Sequence, residues 1–125
     1  MGKTIGILGG MGPLATADLF RKITLLTDAA CDNEHIRVYI DSNARIPDRT
    51  AAILSGGPDP VPEMASALRS LERCGADCGV SVTGLAGPDG DGTGRPVGLV
   101  YIAIDTAGFS FCRELHLTGD RAAIR

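Results

Sequence analysis

Short apolar runs and helix-spaced apolar positions take turns along this chain of 125 residues. Lys3 to Leu8 (KTIGIL) is closed by Gly9-Gly10-Met11-Gly12-Pro13, which reads as a strand entering a sharp turn. Pro13 suits the first turn of a helix, where a missing N–H costs no hydrogen bond. Leu19, Ile23, Leu26 and Ala30 share one helical face and predict a helix from Pro13 to about Ala30. Ile36, Val38, Tyr39 and Ile40 make a second strand that ends at Asp41-Ser42-Asn43. A short helix from Arg49 to Leu54 and the linker Gly56-Gly57-Pro58-Asp59-Pro60 follow, and Met64, Leu68 and Leu71 mark another helix, stopped by Gly75. This β-α-β-α order calls for parallel strands joined by right-handed crossovers.

In the second half, Cys78 to Thr83 is a third strand that enters a Gly/Asp-rich loop from Gly84 to Pro96. Val97 to Ile104 is almost wholly apolar, as expected of a central strand buried on both faces. Asp105-Thr106-Ala107-Gly108 signals a hairpin. Beyond it Phe109, Phe111, Leu115 and Leu117 alternate with Ser110, Cys112, Glu114 and His116, so one face of that strand should be wet. Asp120 is a candidate N-cap for a last helical turn running to Arg125, too short to stand alone and liable to leave sheet surface uncovered. The expected fold is a single three-layer α/β domain over residues 1–125. Its sheet should be mostly parallel, in flavodoxin-like or Rossmann-like order, with an antiparallel hairpin at one edge.

Composition narrows the function classes. Hydrophobic residues make up 44% and charged residues 22%, a globular balance, while an aromatic content of 4% without Trp leaves the core to Ile, Val, Leu and Ala. A net charge of −3 gives no pull towards nucleic acid or an anionic membrane, so neither partner is expected. No apolar stretch approaches a membrane span, and the chain enters its first strand without a signal-peptide pattern, so a cytoplasmic location is expected. Cys31, Cys74, Cys78 and Cys112 show no metal-type spacing. No metal or other cofactor is expected, and Cys31 and Cys112 read as buried small apolar residues.

Gly10-Met11-Gly12-Pro13-Leu14-Ala15 fits the G-x-G-x-x-A variant of the dinucleotide fingerprint, in which glycines let backbone N–H groups approach an anion at a helix start. The acidic residue expected about 20 positions on is missing, and Pro13 removes a donor. A bare tight turn and a site for a small anionic ligand therefore stand beside the dinucleotide reading. Arg49 can grip a carboxylate with its guanidinium fork, or can simply open a helix on a solvated face. Asp89, Asp91 and Asp105 lie in Gly-rich loops but lack the later bidentate Glu of a calcium loop. His35 and His116 have no Ser or Cys partner at a recognisable spacing.

The string from Lys3 to Thr16, followed by Ser42-Asn43-Ala44-Arg45-Ile46-Pro47-Asp48-Arg49-Thr50, closely resembles the aspartate/glutamate racemase family over roughly the first 77 residues. The resemblance implies that the glycine turn sits around the substrate, that Met11 and Gly12 shape the pocket floor, that Asn43 hydrogen-bonds and that Arg49 holds a carboxylate. Those racemases use two cysteines, the first in a Cys-Asn-Thr motif at the end of the third strand, where this chain has Val82-Thr83-Gly84. A Thr hydroxyl is far too weak an acid to supply the thiolate's base. From Gly79 onward a second likeness takes over. Gly79 to Pro88, Arg95 to Ala103 and His116 to Arg125 resemble the CinA C-terminal domain family, which includes nicotinamide mononucleotide amidohydrolases. That resemblance implies a substrate-facing Thr83 and a phosphate-facing Arg121, but the Ser-Cys-Thr-Gly-Gly nucleophile motif has no counterpart here.

The chain thus reads as a chimera, racemase-like through about Asp77 and CinA-like from about Gly79. The expected behaviour is a folded, catalytically inert domain that binds a small carboxylate or phosphate through Gly10, Met11, Gly12, Asn43, Arg49, Thr83 and Arg121. Turnover of either parental kind, amino-acid racemisation or nucleotide deamidation, is the enzymatic alternative. A third class is a scaffold that self-associates through its sheet edge or an uncovered face.

Overall fold

A computed structural model describes the chain except for Met1, Leu85, Ala86, Asp91 and Thr93. Its elements run β1 (Ile5–Gly9), α1 (Pro13–Leu26), β2 (Val38–Ser42), α2 (Arg49–Leu54), α3 (Val61–Arg73), β3 (Cys78–Gly84), β4 (Leu99–Thr106), β5 (Phe109–His116) and α4 (Arg121–Ile124), with a 3-10 turn at Asp32–Glu34. One five-stranded sheet has the order β2-β1-β3-β4-β5. β1 pairs in parallel with β2 and with β3, and β4 is antiparallel to both β3 and β5. The α/β class, the parallel core and the antiparallel hairpin expected from the sequence are all present.

The pairing register sorts every strand residue onto one of two faces. Ile5, Ile7 and Gly9 share a face with Val80, Val82, Val100, Ile102, Ile104, Phe109, Phe111 and Leu115. Thr16 of α1 lies over Gly9, so α1 covers this face at β1. Leu71 and Ala76 lie over Gly6, so α3 and its exit cover the opposite face. Ile7 and Leu71, one from each side, are buried. The buried apolar set is small, adding Ala67, Leu99, Val100 and Ile124.

The exit of α3 is tied to the start of β1. Thr4 N–H donates to Asp77 Oδ1 at 3.1 Å, and the N–H groups of Asp77 and Cys78 both donate to Thr4 O, at 3.0 and 3.2 Å. Asp77 therefore starts β3 in register with β1.

Several expectations need correction. α1 stops at Leu26 rather than Ala30, because the hydroxyl and N–H of Thr27 both bond to Ile23 O and the backbone turns extended there. Leu26 is consequently exposed, and Ala30 lies beyond the helix. β4 is not buried on both faces: Leu99 and Val100 are, but Tyr101 and Ile104 are exposed, because the helices pack over β1 and β2 and do not extend over this strand. β5 alternates as expected, yet both its faces are open, with Phe109 58% and Phe111 41% exposed. Cys31 and Cys112 are exposed rather than buried, Cys31 in a loop and Cys112 on β5.

Candidate functional site

At the C-terminal end of β3 the sheet opens into a cleft of about 440 Å³, lined by Ile7, Gly9, Val82 and Val100 from the sheet and by α1, α4 and the Gly87–Gly90 segment around it. The glycine turn after β1 forms its rim. Gly10 has φ +95, and a Cβ there would sit 2.6 Å from the backbone of Asn43, so both conformation and space require glycine. Thr16, buried in the first turns of α1, ties the turn to its helix: its hydroxyl accepts from Gly10 N–H at 2.9 Å and donates to Gly12 O at 3.3 Å. The Met11–Gly12 and Gly87–Pro88 peptide bonds are cis.

Arg49 opens α2, capped by Asp48, whose carboxylate accepts from Ala51 N–H at 2.8 Å. From there the Arg49 guanidinium crosses to the glycine turn and donates to Met11 O at 3.0 Å. On the far side Asp120 caps α4 by accepting from Ala123 N–H at 2.9 Å, and Arg121 donates to Gly87 O at 2.7 Å. Each guanidinium has further N–H donors beyond the one it gives to a carbonyl. Lys22 adds a third cation, bonded to Asp18 at 2.9 Å and to the main-chain oxygen of Arg125. The Lys22 hydrogen bond holds the Asp18 carboxyl below its ordinary pKa, with Lys22, Arg21 and Arg125 charges acting in the same direction. Four cationic residues, Lys22, Arg49, Arg121 and Arg125, thus line the cleft against Asp18 and Asp89.

Of the seven residues singled out in the sequence, Met11, Gly12, Arg49, Thr83 and Arg121 line this cleft together. Gly10 stands behind them as the turn's pivot. Asn43 faces away: its Nδ2 donates to Glu63 Oε1 on α3 at 2.7 Å and its Oδ1 accepts from Arg45 N–H at 3.0 Å. Thr16, Asp18, Lys22 and Arg125 had not been singled out. The i, i+4 spacing of Asp18 and Lys22 was the available signal, although that pairing more commonly marks a solvated helix face. Cys78 begins β3 and lines a separate hollow of about 470 Å³ at the opposite end of the sheet. Five residues of extended strand separate it from Thr83, about 17 Å. Among the described residues no group of His, Cys, Asp and Glu is arranged to hold a metal ion, and no helix is long and apolar enough to cross a membrane. Asp91, weighed above as a loop carboxylate, and the Leu85-Ala86 part of the turn after Gly84 lie outside the described residues.

Known proteins resemble this chain in two ways. Residues 8–82 match the family described as Asp/Glu/hydantoin racemase, and residues 58–125 match the CinA C-terminal domain. A CinA-like protein of Syntrophomonas wolfei is 36% identical over 93 residues, 74% of this chain and 21% of that protein. A CinA-like protein of Acidobacterium capsulatum is 50% identical over 54 residues, 43% of this chain and 13% of that protein. The chain spans about a fifth or less of the length of these curated relatives. Among solved structures, an aspartate racemase of Picrophilus torridus is 39% identical with a TM-score of 0.58, over 61% of this chain and 33% of that one. A CinA superfamily protein of Klebsiella pneumoniae covers 98% of this chain and 76% of its own at 23% identity, with a TM-score of 0.55, which shows a shared fold. The chain therefore belongs to two families at once, the Asp/Glu/hydantoin racemases through residues 8–82 and the CinA C-terminal domains through residues 58–125, with α3 and most of β3 common to both.

Proposed function

We propose that this chain is a binding domain for a small carboxylate or phosphate, held in the cleft at the C-terminal end of β3, and that it turns over the substrates of neither parent. The observation that carries the reading is that each parental half contributes an arginine to the same cleft, Arg49 from the racemase-like part and Arg121 from the CinA-like part. Lys22 and Arg125 raise the positive charge, and open α/β sheets receive ligands at this end of their strands. Inertness is supported by position. Thr83 stands where the resemblance to racemases implies a cysteine, and its hydroxyl is too weakly acidic to serve as a Cα base at neutral pH. Cys78 lies too far along the strand to substitute.

Calorimetric titration with aspartate and with inorganic phosphate tests the binding. Heat is expected from at least one, weakened at least tenfold by Arg49→Leu or Arg121→Leu, since a hydrogen bond to a charged group contributes about 1.5–3 kcal/mol. Proton exchange at Cα of aspartate in heavy water and ammonia release from nicotinamide mononucleotide should both stay at the uncatalysed rate. Turnover in either assay overturns the inert reading, and silence in both titrations overturns the binding.

A further inference from the structure

Asn43 follows β2 directly and is half-buried, as is Glu63 in the first turn of α3. An acidic side chain in a first turn ordinarily serves its own helix, by meeting unpaired N–H groups or the positive end of the dipole. Glu63 reaches across to the end of β2 instead, and its Oε1 accepts from Asn43 Nδ2 at 2.7 Å. Asn43 is held at two further points. Its Oδ1 accepts from Arg45 N–H at 3.0 Å, and its own N–H donates to Gly9 O at 3.1 Å.

The glycine turn leans on this residue. Gly10 passes so close that a Cβ there would lie 2.6 Å from the main-chain N, C and O of Asn43. Met11, next along, offers the carbonyl that takes the Arg49 guanidinium at 3.0 Å. A path of hydrogen bonds and close packing therefore runs from Glu63 through Asn43 to the turn, and from the turn to Arg49. Its first link is a bond to a carboxylate, partly shielded from water, which is among the stronger kinds of hydrogen bond.

We infer that Glu63 is a positioning residue for the anion cleft: through Asn43 it sets where the glycine turn stands, and so where Arg49 meets a ligand. The effect on affinity rests on the binding proposed above. The placing of the turn does not, because it belongs to the ligand-free chain.

The pair can be broken and then rebuilt with its polarity reversed. Asn43→Asp sets a second carboxylate against Glu63, while keeping an acceptor for Arg45 N–H. Adding Glu63→Gln restores one N–H···O bond in the opposite sense, at the net charge of the unmodified chain. Glu63→Ala removes the acceptor outright. Two quantities are read: the amide resonances of Gly9 to Gly12 with the Arg49 Nε–H resonance in the ligand-free proteins, and the dissociation constants for aspartate and inorganic phosphate. Asn43→Asp and Glu63→Ala should each move the resonances and weaken binding about three- to tenfold, the scale of one hydrogen bond. The swapped double variant should bring both quantities back, with affinity within about twofold of the parent.

A direct contact between the Asn43 amide and the ligand gives the opposite pattern. Glu63→Ala would then free the amide and bind at least as tightly as the parent, and the swap, which lacks the amide, would stay weak. Either result overturns the inference, as do turn resonances that both single variants leave in place. If the unmodified chain binds neither anion, the binding proposal falls alone and the resonances judge Glu63: movement that the swap reverses supports it. If a single variant loses its far-UV circular dichroism, a swap that regains the fold and the parental turn resonances supports the inference, and an unfolded swap overturns it.

Discussion

Gly9 and Thr16 offer the sharpest test of how the glycine turn is held. A Cβ at residue 9 would lie 2.3 Å from both Cγ2 and Oγ1 of Thr16, far inside van der Waals contact. Gly9→Ala should therefore force Thr16 to move. Overpacking of this kind costs about 1–3 kcal/mol. Displacing the Thr16 hydroxyl from Gly10 N–H and Gly12 O adds about 1 kcal/mol for lost hydrogen bonding. The total, roughly 2–4 kcal/mol, is a large part of the stability of an ordinary domain. Thr16→Ala alone loses the same bonds and a methyl group, about 1–2 kcal/mol. In the double variant the two clashing γ atoms are gone and only Thr16 Cβ, 2.9 Å from the new methyl, still crowds it. The two losses should therefore fail to add, the pair being about 1–2 kcal/mol more stable than their sum. Urea unfolding of the four proteins, read as midpoint and slope, completes the cycle. Simple additivity, or a Gly9→Ala protein as stable as its parent, would refute this account of the turn.

Four further outcomes can be checked directly. Asp48→Ala removes the cap of α2 and should cost about 1 kcal/mol in the same urea assay. Gly98→Ala should be more damaging, at least about 1–3 kcal/mol, because φ is +92 there and a Cβ would lie 2.0 Å from Leu117 O. On the hairpin, Tyr101 donates to Glu114 at 2.8 Å, which together with His116 lowers the Glu114 pKa below 4.5, while the carboxylate raises that of Tyr101 above 10.0. Glu114 then contributes stability that is present above pH 4.5 and lost as pH falls through its folded value, and Tyr101 contributes stability present below pH 10.0 and lost as pH rises through its own. Tyr101→Phe should flatten both limbs of stability against pH, and an unchanged profile would remove the pair from the account. Finally, Arg121→Met should make the Gly87 segment exchange its amide hydrogens faster, because the 2.7 Å bond to Gly87 O is gone.

The legible parts of the fold were those fixed by local chemistry. The Arg49–Leu54 helix, the Asp120 cap of the last helical turn, the hairpin turn before Phe109 and the start of β3 at Cys78 all rest on residues within a few positions of one another. What escaped depends on distant parts of the chain. Apolar richness from Val97 to Ile104 reads as burial on both faces, but whether a helix lies over β4 is decided by where α1 and α3 dock, and they dock at β1 and β2. The end of α1 was misplaced because apolar spacing ran on through Ala30, while Thr27 turned its own hydroxyl back to Ile23 O. In the site, the glycine turn, Arg49, Thr83 and Arg121 were visible through family likeness. Asn43 was visible too, but its commitment to Glu63, 20 residues away on α3, is a tertiary fact. Lys22 and Arg125 are 103 residues apart and meet only in the folded chain, so no local pattern marks them as neighbours.

The step from α3 into β3 at Asp77 makes few demands on sequence. What β1 asks of an incoming neighbour there is modest: one carboxylate to receive Thr4 N–H and two amides to meet Thr4 O. Any segment that arrives with an acidic residue followed by an extended strand can answer. A strand that follows an acidic residue can thus be exchanged here without redesigning the sheet, because what is read at that point is three hydrogen bonds.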